Sequence, residues 1–171
     1  MPSHSGLFTV IERAARKAAP RLRRDFNEVQ HLQVSRKGPA DFVSMADKRC
    51  EQTIYEELSK ARPDWGFLME ERGEVAGDPA KPRFIVDPLD GTSNFLHGIP
   101  HFAISIAVEE PLPSGKREIT TASASTIVAS IVSGSCTLIG SSSYSSMTTS
   151  MPSWRKAAAS PSRSRGSVTW S

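Results

Sequence analysis

Cysteine is scarce in this 171-residue chain, which has only Cys50 and Cys136. They stand far apart and lack a metal-type spacing. That excludes a disulfide framework and makes a reducing cytoplasm the default compartment. Long hydrophobic runs are missing as well. No stretch approaches the length of a membrane span, and Arg13, Arg16 and Lys17 break the only apolar stretch near the N-terminus, so neither an anchor nor a secretory leader is expected. Acids are missing from one part of the chain. Residues 1–110 hold 17 acids and 15 bases, a net −2, whereas residues 111–171 hold Glu118 and six bases, a net +5. The basic excess therefore belongs to the tail. It is not read as a nucleic-acid footprint, which would gather Lys and Arg on one face or stripe of a folded element. Arg155, Lys156, Arg163 and Arg165 are read as solvated charges.

What is present before residue 111 has the grammar of a layered α/β (α+β) domain. Leu7, Val10, Ile11, Ala14 and Ala18 recur at three- and four-residue steps between charged residues, which predicts an amphipathic helix. Pro20 is expected to interrupt or kink it, with Leu22 to Phe26 resuming. Lys37-Gly38-Pro39 signals a loop. Ser44 and Asp47 fit a capping box that opens a second helix, with Cys50, Ile54, Leu58 and Ala61 as its apolar stripe. Pro63 to Gly66 reads as a turn, Phe67 to Met69 as a short strand running into Glu70 and Glu71, and Gly73 to Pro82 as a polar loop. A strand over 83–86 then enters an Asp-rich turn. Phe102, Ile104, Ile106 and Val108 alternate with Ala103, Ser105 and Ala107, which predicts a further strand with two distinct faces.

After Glu110 the composition changes. Residues 111–171 contain 18 serines, against 7 in the preceding 110, and no aspartate follows Asp90. Only Ile127 to Ile139 is dense in apolar residues, and its Ser and Gly blunt any period. Such a composition buries too little apolar surface to offset chain entropy, so 1–110 is expected to be the folded portion and 111–171 a disordered or poorly packed tail. The switch reads either as a natural low-complexity tail or as out-of-frame translation of a damaged gene. Translating the underlying nucleotides in the other two frames separates the two, since only the second restores a patterned sequence.

The chemistry concentrates at Phe84-Ile-Val-Asp87-Pro-Leu-Asp90-Gly-Thr92-Ser-Asn-Phe95. A strand that delivers two carboxylates into a turn supplies hard oxygen ligands for a divalent cation. Gly91 and Thr92 amides at the start of a following helix suit a phosphate. Acids at strand ends converge on one rim of a sheet, which brings Glu70 to Asp87 and Asp90 and adds the Leu89 carbonyl as a further donor. Mg²⁺ held there would polarise a phosphoryl oxygen and acidify a bound water. The Thr92 hydroxyl can orient that water, and Asp47, if it reaches Thr92, can accept a proton through it.

Asp87-Pro-Leu-Asp90-Gly-Thr92-Ser-Asn-Phe95 resembles the DPxDGTxNF signature of the inositol monophosphatases, lithium-sensitive Mg²⁺-dependent phosphatases. Lys37-Gly-Pro-Ala-Asp41-Phe-Val-Ser-Met-Ala-Asp47, Phe67-Leu-Met-Glu70-Glu71 and His97-Gly-Ile-Pro-His101-Phe-Ala-Ile-Ser-Ile-Ala107 resemble three more of that family's segments, in order. The resemblance covers roughly residues 5–110. It implies Glu70, Asp87, Leu89 (through its carbonyl) and Asp90 as Mg²⁺ ligands, and Asp47 and Thr92, with Glu70, as the water-activating set. It further implies Leu89, Asp90, Gly91 and Thr92 around the phosphate, and alternating helix and sheet layers of the sugar-phosphatase type. The implied reaction is hydrolysis of a small phosphorylated polyol, foremost inositol 1-phosphate, by an enzyme that is commonly a homodimer. Relatives acting on sugar bisphosphates or adenosine 3′,5′-bisphosphate share the metal core and stay open as alternatives. The family also takes a metal-binding aspartate from a C-terminal WDxAAG-like motif. Here Trp154-Arg155-Lys156-Ala-Ala-Ala carries Arg155 in its place. The chain is accordingly expected to be an N-terminal portion. An inactive fragment is a third alternative, in which strand 102–108 would have an open edge.

Simpler readings stand beside these. Asp87 and Asp90 can be turn and capping acids, and Asp47 can be no more than Ser44's capping partner. Glu71 reads as a surface or supporting carboxylate, His97 and His101 as structural, and Cys50 as a small core residue.

Overall fold

The computed structural model describes residues 4–32, 39–118, 127–132 and 135–139. Helix α1 (His4–Leu32) and helix α2 (Pro39–Ala61) pack together on one face of a sheet. Leu7, Ile11, Ala14, Ala18, Leu22 and Val29 form the buried stripe of α1 at the expected spacing. The helix runs unbroken through Pro20, so of the expected interruption or kink the interruption does not occur. Pro20 lies on the exposed side, where water can satisfy the carbonyl that loses its partner, while Ala18, Ala19 and Leu22 stay packed.

Helix α2 begins five residues before Ser44, with Pro39 in its first turn, where a proline's missing N–H costs nothing. Ser44 and Asp47 therefore lie inside the helix, and the capping box expected of them does not form. Asp47 instead joins Val43, Ala46, Cys50 and Ile54 on the buried face. A helix-cap explanation of this aspartate is thereby removed. The loop expected over 33–38 lies outside the described residues.

The sheet runs in the order β2 (Gly73–Val75), β1 (Gly66–Met69), β3 (Arg83–Asp90), β4 (Ala103–Pro111), then the two strands that follow in sequence beyond β5 (Arg117–Glu118), namely β6 (Ile127–Val132) and β7 (Ser135–Ile139). The short β5 pairs with β4 off this path. Part of the loop expected over 73–82 is thus a strand: β2 folds back on β1, with Phe67 opposite Val75. Strands β1 and β3 are parallel, so both deliver their carboxylates at the same end. Strand β4 is antiparallel to β3 and also pairs with β6, so the open edge expected for 102–108 is covered. The strands at 117–118, 127–132 and 135–139 fall within the segment expected to be unpacked. The rest of that expectation lies outside the described residues.

The two faces expected for β4 are realised. Phe102, Ile104, Ile106 and Val108 join the main core under the helices, while Ala107 packs with Ile85 and Leu68 on the other side. Two aromatic groups fix the frame of the site. Phe26, Phe95 and Phe102 meet with ring centroids 4.8–5.3 Å apart, joining α1 to the residue before β4 and to the short α3 (Thr92–Leu96). Trp65, Phe67 and Phe84 stack beneath β1 and β3. Each such ring buries a large apolar surface in a defined geometry.

Candidate active site

Strand β3 was expected to stop at 86, but it continues to Asp90 and carries a register shift against β4 between Asp87 and Asp90. Pro88 sits in that shift, where a missing N–H costs no ladder bond. The irregularity has a chemical consequence. Residues three apart on a regular strand point to opposite faces, and the shift resets that alternation. Asp90 thereby comes close enough to raise the pKa of Asp87. Asp87 Oδ1 also accepts the Leu89 N–H at 3.2 Å, which folds the backbone around its own carboxylate.

Glu70 follows the last residue of β1, and its side chain hydrogen-bonds with that of Asp87. Desolvation raises the pKa of both, and for Asp87 the neighbouring Glu70, Asp90 and Asp47 charges add to it. Asp47 arrives from α2. Burial first, then Glu70, Glu71 and Glu51, push its pKa up to about 8, and Lys48 makes the smallest, opposing contribution. Its Oδ1 is buried without a hydrogen-bond partner. Asp90 is raised by desolvation and held back by His101. Asp87 therefore lies in the fields of Glu70, Asp90 and Asp47 at once, and the four carboxylates are all desolvated. Isolated carboxylates in such surroundings keep protons or attract cations.

The segment after Asp90 is set by glycine. Gly91 has φ +95° and caps α3, and a Cβ there would lie 3.0 Å from the His101 carbonyl. Both the left-handed backbone and the close approach exclude a side chain. Thr92 is exposed, and its hydroxyl donates to the Leu89 carbonyl at 2.9 Å. The Asp47–Thr92 pair expected from the sequence is therefore not made: the Thr92 proton is engaged on Leu89, and Asp47 Oδ1 is left without a partner. Helix α3 is only five residues long, so any phosphate affinity here rests on the first amides of the loop rather than on a macrodipole. Asn94 Nδ2 ties this loop to the His101 carbonyl at 2.8 Å.

Three residues outside the expected site set act near it. Glu51 is buried and accepts the Glu71 N–H at 2.8 Å. It lies four residues after Asp47, so helical spacing alone could have placed the two on one face. His101, set aside as structural, acts on Asp90. Cys50, read as a core residue, is buried as expected and also contacts the Pro88 carbonyl at 3.4 Å. Among the described residues, no three His, Cys, Asp or Glu side chains stand as a ready cage for a metal ion, and no helix is long and apolar enough to cross a membrane.

Comparison with known proteins places this arrangement. The inositol-1-monophosphatase of Mesorhizobium japonicum is 63% identical over 107 residues, which cover 63% of this chain and 40% of that protein. The Nus factor SuhB of Escherichia coli K12 is 38% identical over 102 residues, 60% of this chain and 38% of its own length. The native crystal structure of the extragenic suppressor protein suhB from Bartonella henselae superimposes with a TM-score of 0.60 and 49% identity, covering 79% of this chain and 49% of that one. The chain thus spans about 40% of the length of the curated relatives it matches. Residues 4–120, well over half of the chain, match the model of the inositol monophosphatase family. Its helices and mixed sheet superimpose on a solved relative, and the chain belongs to the inositol monophosphatase family.

Proposed function

We propose that this chain carries the cation- and phosphate-binding part of a Mg²⁺-dependent phosphatase that hydrolyses a small phosphate monoester, foremost inositol 1-phosphate. The observation that carries the reading is the set of desolvated carboxylates at Asp47, Glu70, Asp87 and Asp90, with Asp87 acted on by the other three. Such a set is costly for stability alone, and a divalent cation removes the cost. The donors fit Mg²⁺ in kind: they are all hard oxygens, and the buried Oδ1 of Asp47 has no other partner. The fit rests on donor chemistry and charge, since the side chains do not form a preformed cage.

Glu70, Asp87, Asp90 and the Leu89 carbonyl would hold the cation. Bound Mg²⁺ supplies a Lewis acid that polarises the phosphoryl oxygen and lowers the pKa of water. Phosphoryl transfer needs positioning and charge neutralisation more than covalent help. Amides of Gly91 and Thr92 orient the phosphate. The Thr92 hydroxyl lies at the exposed edge of the cluster and orients the attacking water from there. Asp47, whose buried Oδ1 has no other partner, is the group placed to take up that water's proton.

The test is phosphate release by the purified chain, with Mg²⁺ or with EDTA, from inositol 1-phosphate, fructose 1,6-bisphosphate and adenosine 3′,5′-bisphosphate, beside an Asp87→Asn control. Mg²⁺-dependent release that is greatest with inositol 1-phosphate is expected. Release no greater than that of Asp87→Asn on all three substrates would overturn the activity for this chain.

A further inference from the structure

The two backbone segments that carry the acidic side chains are both tied to one helix, and by adjacent residues. Glu51 Oε2 accepts the N–H of Glu71, the residue after Glu70, at 2.8 Å. Cys50 Sγ donates to the carbonyl of Pro88, the residue between Asp87 and Leu89, at 3.4 Å. Both side chains are almost wholly buried, Glu51 at 2% exposure and Cys50 at 4%. They lie three and four residues after Asp47, on the same face of α2.

The chemistry of Glu51 indicates more than packing. A carboxylate in that position is costly beside an apolar residue of similar volume. It is partly offset by Arg72, whose Nε lies 3.9 Å from Oε1 and whose guanidinium stacks 4.5 Å over the Tyr55 ring. An apolar side chain would fill the space, but it would leave the Glu71 amide without this acceptor and the Glu70 turn without its tie to the helix. Cys50 supplies the corresponding tie to a proline carbonyl inside the β3 irregularity, where the ladder to β4 is interrupted.

We propose that Cys50 and Glu51 are positioning residues: through them α2 sets the separation of Glu70 from Asp87, and so the cation affinity of a site they do not touch. This inference rests on the reading of the carboxylate cluster as a Mg²⁺ site. Groups that orient ligands without contacting the metal typically change affinity by about 10–100-fold when removed. The two ties fix different sides of the cluster, so each is needed separately.

Isothermal titration of Mg²⁺ into the full chain tests this with Glu51→Ala, Glu51→Gln, Cys50→Ala and Cys50→Ser. Ile54→Val serves as a control that loosens the same helix face while leaving both hydrogen bonds in place. The Ala variants are expected to bind Mg²⁺ about tenfold more weakly or worse. Glu51→Gln keeps an acceptor for the Glu71 amide, and Cys50→Ser keeps a donor for Pro88. Both are expected to stay within about threefold of wild type, and Ile54→Val to match it. Should Glu51→Ala fail to melt cooperatively, Cys50→Ala, which removes one sulfur atom, decides the matter. Unchanged affinity in the Ala variants, or equal weakening in Ile54→Val, overturns the positioning role while the cation site stands. No Mg²⁺ binding by the wild type overturns both.

Discussion

Asp47→Asn should make the metal-free protein more stable, and increasingly so as pH rises. Asp47 is 4% exposed, one of its oxygens lacks a partner, and Glu70, Glu71 and Glu51 act on it with the same sign of charge. Its pKa rises from an ordinary 3.8 to about 8 in the fold. The folded state therefore holds a proton that the unfolded chain has lost. A raised carboxylate of this kind contributes most below its unfolded pKa, and that contribution is lost as pH rises through the folded one. Within this window, each pH unit removes about 1.4 kcal/mol from the wild type. Integrated to about pH 7.5 the ceiling is about 5 kcal/mol. Water reaching the cluster past the half-buried Asp90 and exposed Thr92 lowers that figure, and a gain of about 1–3 kcal/mol is expected for the uncharged amide. Urea denaturation in EDTA, followed by tryptophan fluorescence at about pH 5 and about pH 8, measures it. The gap between the two proteins should be the smaller at the lower pH and widen at the higher, and saturating Mg²⁺ should shrink it. A variant that is less stable than wild type at both pH values, by the same amount, would refute the reasoning.

Glu57 should behave in the opposite sense. A hydrogen bond and ion pair with Lys17 lower its pKa, so the stabilisation is present above the ordinary 4.5 and is lost as pH falls through the folded value. Thermal melts of Glu57→Gln should therefore converge on wild type only in acid. Gly91→Ala forces a left-handed residue to carry a Cβ 3.0 Å from the His101 carbonyl. It should cost about 1–3 kcal/mol in denaturant titrations and abolish Mg²⁺-dependent phosphate release. Phe84→Ala, emptying a fully buried site against Trp65 and Phe67, should cost about 3–5 kcal/mol by the same assay.

The helix stripes, the two faces of β4 and the acidic residues themselves were legible because periodicity and residue chemistry are local properties. Leu7 to Leu22 and Phe102 to Val108 show this directly. Element boundaries were not. Ser44 and Asp47 have capping-box spacing, but proline in the first turn starts α2 at Pro39, and burial of the 43/46/47/50/54 face outweighs a local cap. Pro20 looked like a breaker because sequence alone does not show that its side of α1 faces water. The coupling of Asp87 to Asp90 depends on a register shift against β4, a pairing between distant residues that neither segment encodes alone. Glu51 was overlooked for a similar reason: its partner is a backbone amide twenty residues away, and a glutamate on a helix otherwise reads as solvated.

The most direct test of the carboxylate cluster as a site where a cation replaces protons is the proton release that accompanies Mg²⁺ binding. Titrating Mg²⁺ into the chain at about pH 7, in buffers of different ionisation enthalpy, counts those protons. With Asp47, Glu70 and Asp87 raised as they are, about one proton or more should leave per cation bound, falling towards none as pH approaches about 10. Binding heats that do not depend on the buffer, or no binding at all, would contradict it.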